Sequence, residues 1–237
     1  MHRTSAPPRF SFVFDFDSTL VSVESLDELI ALSLRESLDA GKAETAIEKI
    51  RRITDAGMNG EIDFRTSVAR RLKIAKVNRR HLETLCKSIS ESITRGLPEI
   101  IEEIRKAGSE AYIISGALID CIIPVALELK IPAENLFANQ PVFNSAGRLT
   151  GIKPGLLTST DGKTKCLRHL KKHGTIFGET VMVGDGVSDL HPYQKGVAEK
   201  FLGAGFHRKR ETVRRDAPHF FTSVPSLHRH IRSLLQP

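Results

Sequence analysis

Phe10-Ser11-Phe12-Val13-Phe14-Asp15-Phe16-Asp17-Ser18-Thr19 is an apolar, aromatic-rich run that stops on two carboxylates two residues apart. A run this short and this apolar predicts a buried strand. Val183-Gly184-Asp185-Gly186-Val187-Ser188-Asp189 repeats the arrangement far downstream, at the end of a second such run, Thr180–Gly184. Ala111–Ser115 and Gly196–Leu202 add two more candidate strands, and Leu136–Thr150 reads as a hairpin turning at Asn144–Gly147. Helical periodicity marks Pro98–Ala107, with Pro98 in a first turn and Gly108 as a stop, then Leu118–Lys130 and Lys163–Lys172. Strands alternating with helices predict an α/β fold, a Rossmann-like parallel sheet with helices on both faces.

The stretch from Glu24 to Arg95 behaves differently. It holds Ser25–Leu38, Lys42–Ala56, Ile62–Val77 and Asn78–Ile93 as consecutive helices with no strand, punctuated by Gly57 and Gly60. An all-helical block after the first strand predicts a cap inserted above the sheet. The expected division is a catalytic core of residues 1–22 and 96–237 and a helical cap of residues 23–95.

The 237 residues are long enough to bury a core, and 40% hydrophobic with 27% charged residues describes an ordinary globular chain. No apolar run reaches membrane-span length, and Met1–Arg9 lacks a signal-peptide core. Cys86, Cys121 and Cys166 are odd in number and lack metal-type spacing, which points to free thiols in a reducing cytoplasm. The net charge of +7 suits anionic substrates or nucleic acid. Much of it, however, lies in runs such as His207-Arg208-Lys209-Arg210, which lack interleaved aromatics and read as a solvated face, so nucleic acid is not an expected partner.

Carboxylates at strand ends are well placed for chemistry, because ligands of open parallel sheets bind beyond the carboxyl ends of the strands. A lone Asp-x-Asp is commonly a solvated turn and a lone Gly-Asp-Gly a tight loop. An EF-hand fails, since Leu20 and Leu26 occupy the positions that need glycine and glutamate. Four carboxylates gathered together would repel one another unless a hard divalent cation lay between them, and oxygen-only ligands select magnesium, Mg2+. Ser115-Gly116 can cradle a phosphate with a hydroxyl and backbone N–H groups, and Lys163 or Lys165 can neutralise a transferring group.

The order Asp-x-Asp-x-Thr, Ser-Gly, Lys, Gly-Asp-Gly-x-x-Asp resembles the four motifs of the haloacid dehalogenase superfamily phosphatases. Within it the resemblance is to the phosphoserine phosphatase family, carried by Asp15–Val21, Glu24, Asp27-Glu28-Leu29, Met58-Asn59-Gly60, Phe64–Arg71 and Asn135–Asn139. That resemblance implies Asp15 as nucleophile, forming an aspartyl-phosphate, and Asp17 as acid and then base. It implies a metal held by Asp15, the backbone carbonyl of Asp17 and Asp185, with Asp189 in support. Ser115, Gly116 and Lys163 would hold the phosphoryl group. Lys163 fits the family spacing to Leu167 and Leu170, with Lys165 as its rival. Glu24 would receive the substrate ammonium and Arg71 its carboxylate, with Arg70 as rival one register away. Met58 and Phe64 would wall the pocket. Ala117 stands where the family has a second glycine, and substrate-binding Ser188 where it has asparagine or threonine.

The implied partner is a small phosphorylated metabolite, phosphoserine or a related phosphomonoester, with no membrane. A phospho-receiver module also groups aspartates, a hydroxyl and a lysine on such a sheet. It lacks a large helical insertion, however, and its lysine follows every aspartate, whereas Lys163 precedes Asp185.

Overall fold

The computed structural model describes residues 9–236; the opening residues 1–8, part of the expected core, and Pro237 lie outside the described residues. β1, Phe10–Phe14, is buried along its whole length. Its pleat divides the interior in two. Phe10, Phe12 and Phe14 enter one apolar cluster and Val13 the other, while the Ser11 hydroxyl donates to the Phe177 carbonyl at 2.6 Å. A strand apolar on both faces belongs inside a parallel sheet. Each fully buried phenylalanine contributes about 1.5–3 kcal/mol.

After β1 the chain makes one wide turn, Phe16–Leu20, in which Asp17 and Ser18 are not helical, and then four helices: α1 Ser25–Ser37, α2 Ala40–Met58, α3 Phe64–Leu72 and α4 Arg79–Ser88. Side chains fix three of the starts. Asp39 accepts from Lys42 N, Asp63 from Thr66 N and Asn78 from His81 N, each a cap that satisfies a free backbone donor. The last two caps shorten the expected helix Ile62–Val77. Asp63 sets its start, and the chain leaves it after Leu72 to reach the Asn78 cap of α4. The chain leaves and re-enters the sheet region side by side. Val21 pairs antiparallel with Ile93, Ser22 N donates to Ser92 O and Thr94 N to Leu20 O, both at 2.8 Å.

The remainder alternates: α5 Leu97–Lys106, β2 Glu110–Leu118, α6 Ile119–Glu128, β3 Leu136–Asn139, β4 Pro141–Phe143, β5 Leu149–Ile152, α7 Gly162–Lys172, β6 Glu179–Gly184, α8 Val187–Gln194, β7 Lys200–Ala204, α9 Glu211–Asp216, β8 His219–Phe221 and α10 Val224–Leu235. Six strands form one parallel sheet in the order β3-β2-β1-β6-β7-β8. This is the Rossmann-like fold expected, and the order reverses at β1, between β2 and β6.

Three expectations need correction. Leu136–Asn139 does not form the hairpin; it pairs parallel with β2, Ile113 opposite Leu136. The hairpin is β4–β5, begun afresh at Pro141, with its turn at Asn144–Gly147 as expected. The strand expected at Gly196–Leu202 is Lys200–Ala204, because Gly196 takes φ +62° in the turn after α8. The second strand also runs past Ser115 to Leu118, with a register shift against β3 between Ile114 and Leu118. Among the described residues no helix is long and apolar enough to cross a membrane.

Candidate active site

The reversal of strand order opens a crevice beyond the carboxyl ends of β1 and β6, where ligands of such sheets bind. Asp15 stands there because β1 ends at Phe14, and its backbone N–H still donates to Val183 O of β6 at 2.9 Å. Asp185 follows β6 directly, and Asp189 lies on the first turn of α8. Gly184 makes that convergence possible, since a Cβ there would lie 2.3 Å from the Asp189 carboxyl carbon. Asp15, Asp185 and Asp189 are all buried, and each offers a carboxylate oxygen within 4.8 Å of the others.

Lys163, at the start of α7, reaches between two of them. Its Nζ lies 2.6 Å from Asp15 Oδ1 and 2.5 Å from Asp189 Oδ1. Burial alone would depress the ammonium, but the two carboxylates overcome it and hold the group above its ordinary value. The rival Lys165 is exposed and reaches only Ser159 Oγ at 3.5 Å. Asp15 Oδ1 also accepts from Phe16 N at 2.7 Å, which leaves Oδ2 without a hydrogen bond to a described residue.

Asp17 points away from this cluster, its Oδ1 accepting from Ser25 N at 2.8 Å. Its carboxyl group is raised well above the usual range, by burial first, then by Glu24 and Asp15. The neighbouring carboxylates are thus the lesser causes. Burial also raises Glu24 and Asp185, and lifts Asp189 to about 7. Ser18 sits at φ +53°, a left-handed conformation uncommon outside glycine, and its hydroxyl donates to Glu24 Oε1 at 2.8 Å.

Arg210 answers this charge, and the sequence reading missed it. Placed in the run taken for a solvated face, it is 6% exposed. Its Nε donates to Asp185 Oδ2 at 2.9 Å, its Nη2 lies 3.4 Å from Glu24 Oε1 and its Nη1 3.4 Å from Asp55 Oδ1 of α2. The connection from β7 to α9 carries this arginine to the carboxylate that follows β6. The only signal for it in the sequence was its place immediately before a helix.

The resulting cavity is lined by Asp15, Asp17, Ser115, Gly116, Lys163 and Ser188 from the sheet side. From the helices above come Met58, Phe64, Arg71 and, beside them, Glu24. Phe64 closes directly over Gly116, where a Cβ would lie 2.8 Å from its ring. Asn139 Nδ2 supports this segment from below, donating to Gly116 O at 2.8 Å. Arg71 is buried and faces the cavity, whereas the rival Arg70 is exposed.

Asp15 and Asp189 therefore flank one cation, Lys163, and Asp185, Glu24 and Asp55 flank a second, Arg210. Asp185 Oδ1 is fully buried and has no hydrogen-bond partner among the described residues. An orphaned carboxylate oxygen beside two others is a donor set fit for a hard divalent cation. A carboxylate at a strand end, a hydroxyl, a lysine and a carboxylate cluster fit for a cation together are the equipment for phosphoryl transfer.

The model of the haloacid dehalogenase-like hydrolases matches residues 12–191. The chloroplastic phosphoserine phosphatase of Arabidopsis thaliana is 31% identical over 90% of this chain and 69% of its own length. The phosphoserine phosphatase of Homo sapiens is 28% identical over 90% of this chain and 89% of its own. A phosphoserine phosphohydrolase-like protein from Francisella tularensis superposes with a TM-score of 0.81 at 32% identity, covering 95% of this chain and 99% of that one. A phospho-aspartyl intermediate analogue of phosphoserine phosphatase, at 23% identity and a TM-score of 0.76, shares the fold. The chain belongs to the haloacid dehalogenase-like hydrolase family. Its class there is that of the phosphoric monoester hydrolases, with phosphoserine phosphatases among its relatives.

Arg210→Met removes the cation facing Asp185 and Glu24 and leaves two buried carboxylates uncompensated. Urea unfolding without divalent metal should show a loss of about 3–5 kcal/mol. An unchanged midpoint and slope would mean that these contacts contribute nothing to the fold.

Proposed function

We propose that the chain is a magnesium-dependent phosphatase that hydrolyses O-phosphoserine through an aspartyl-phosphate on Asp15. In this reading residues 23–95 act as a cap over a catalytic core of residues 1–22 and 96–237. The observation that carries it is that Arg71 and Glu24 line the same cavity as Asp15, Asp17, Ser115 and Lys163. A cation and an anion at one end suit the carboxylate and ammonium of an amino acid, and a nucleophile with phosphate-binding groups at the other suits its phosphoryl ester.

A carboxylate oxygen of Asp15 forms a bond to phosphorus as the bond from phosphorus to the seryl oxygen breaks. The leaving alkoxide takes the proton of Asp17, whose carboxyl is raised by burial and so holds that proton toward neutral pH. Water then gives a proton back to Asp17 and its oxygen bonds to phosphorus. The bond to Asp15 breaks, freeing phosphate and the enzyme. Ser115, Gly116 and Lys163 hold the phosphoryl oxygens, and Ser188 lines the same cavity. Asp15, the Asp17 carbonyl and Asp185 would hold magnesium with Asp189 beside them, and the ion supplies neutralisation of phosphoryl charge. The partner is accordingly a small phosphorylated metabolite. A reducing, cytoplasmic setting fits three cysteines that are all free thiols.

Asp15→Asn is nearly isosteric and should fold, yet abolish release of phosphate from every substrate. Retained turnover would remove the covalent route. Chelation with EDTA should silence the wild type and magnesium restore it, with calcium a poor substitute because it favours longer, more numerous ligand contacts. Full activity after exhaustive chelation would count against the metal site.

Arg71→Ala separates phosphoserine from other substrates. It leaves the substrate carboxylate unpaired, which costs about 2–5 kcal/mol in a buried site, so kcat/KM on phosphoserine should fall at least tenfold. An aryl phosphate, with no carboxylate, should lose far less. Equal losses on both would give the substrate to another small phosphomonoester.

A further inference from the structure

We propose that Asp27 is the positioning residue that sets the Arg71 guanidinium as a receptor for a substrate carboxylate, and so determines which phosphomonoesters the site accepts. The inference rests on the reading above that Arg71 meets that carboxylate.

Asp27 lies on α1, buried, and does not itself line the cavity. Its Oδ1 accepts from Arg71 Nη1 of α3 at 2.8 Å. Thr54 of α2 places its hydroxyl 2.8 Å from Oδ1 and 2.7 Å from Oδ2. Arg71 Nε in turn turns back to Ser67 O, one helical turn earlier, at 3.4 Å. Two of the three guanidinium nitrogens are thereby held from behind. Nη2 makes no hydrogen bond to a described residue, while the side chain as a whole lines the cavity.

This arrangement has a chemical meaning beyond helix packing. A free arginine on a cap helix would attract any anion, the phosphoryl group included, and would sample many rotamers. With Asp27 behind it the pair carries no net charge, so attraction at a distance is weak. What remains is a planar fork in a fixed direction, which rewards a carboxylate at one distance and one angle from the phosphoryl site. Selection then comes from orientation rather than from net positive charge, which suits a chain whose basic surface draws anions of every kind.

The test uses the full chain and four substrates. O-phosphoserine carries both a carboxylate and an amine, phosphoglycolate only the carboxylate, O-phosphoethanolamine only the amine and 4-nitrophenyl phosphate neither. Asp27→Asn should raise KM for the first two about tenfold or more while kcat moves less than about threefold. The other two substrates should keep both constants. In an Arg71→Ala background Asp27→Asn should add nothing, since both changes act through one guanidinium. Thr54→Val removes the hydroxyl that steadies Asp27 and should give the same pattern in weaker form, which keeps the test open if Asp27→Asn folds poorly.

Equal losses on all four substrates, or additive losses in the double variant, overturn the positioning role. A wild type with no preference for carboxylate-bearing substrates overturns the functional reading, and this inference with it. A preference lost in Arg71→Ala but kept in both Asp27→Asn and Thr54→Val overturns this inference alone.

Discussion

One ammonium group holds the centre of this molecule. Lys163 Nζ sits between Asp15 and Asp189, on the ends of elements far apart in the chain, in a place where burial works against every charge involved. Such a contact is stable only if the surrounding structure leaves no alternative. The sheet provides that. The central position of β1, between β2 and β6, fixes Asp15 against the loop that carries Asp185 and Asp189. The helix α7 that carries Lys163 packs through Leu167 and Leu170 into the apolar cluster on one face of the sheet.

The same excess of negative charge explains how the helices above the sheet are tied to it. Arg210 belongs to the sheet side, yet its guanidinium spans Asp185, Glu24 and Asp55. A single side chain thus links the carboxylate cluster, the entrance to the helical insertion and its longest helix. Charge compensation and attachment of the inserted helices are one interaction here. The apolar counterpart is Phe64, which closes over Gly116.

Much of this was legible from the chain. The alternation of apolar runs and amphipathic helices predicts the parallel sheet, because β1 and, after Glu179, β6 are buried on both faces and read as nearly continuous apolar runs. Asp15, Asp17, Lys163, Asp185 and Asp189 stand out because they lie at strand ends and helix starts, where sequence patterns change abruptly, and Ser115 because a glycine follows it inside β2. Arg210 was not legible, since a buried arginine and a solvated one look alike until their partners are known. The Asp27–Arg71 pair was hidden for the same reason: only the crossing of α1, α2 and α3 brings them together. Leu136–Asn139 was misassigned because a four-residue edge strand carries too little pattern to choose its own partner.

The antiparallel bridge between Val21 and Ile93 bears on how the chain finds its fold. β1 must pair with residues near Ala111 and Val181, so the first strand made is among the last to be satisfied. Contacts so distant along a chain slow folding, because the intervening loop must close before any gain is realised. Helices need only local contacts, and α1 to α4 can assemble first. Once they have done so, the bridge brings Val21 beside Ile93, and the loop separating β1 from β2 shrinks from about one hundred free residues to about twenty-five. Two halvings of loop length save about 1.2 kcal/mol of closure entropy. The inserted helices thus act as a splint for the strand that precedes them.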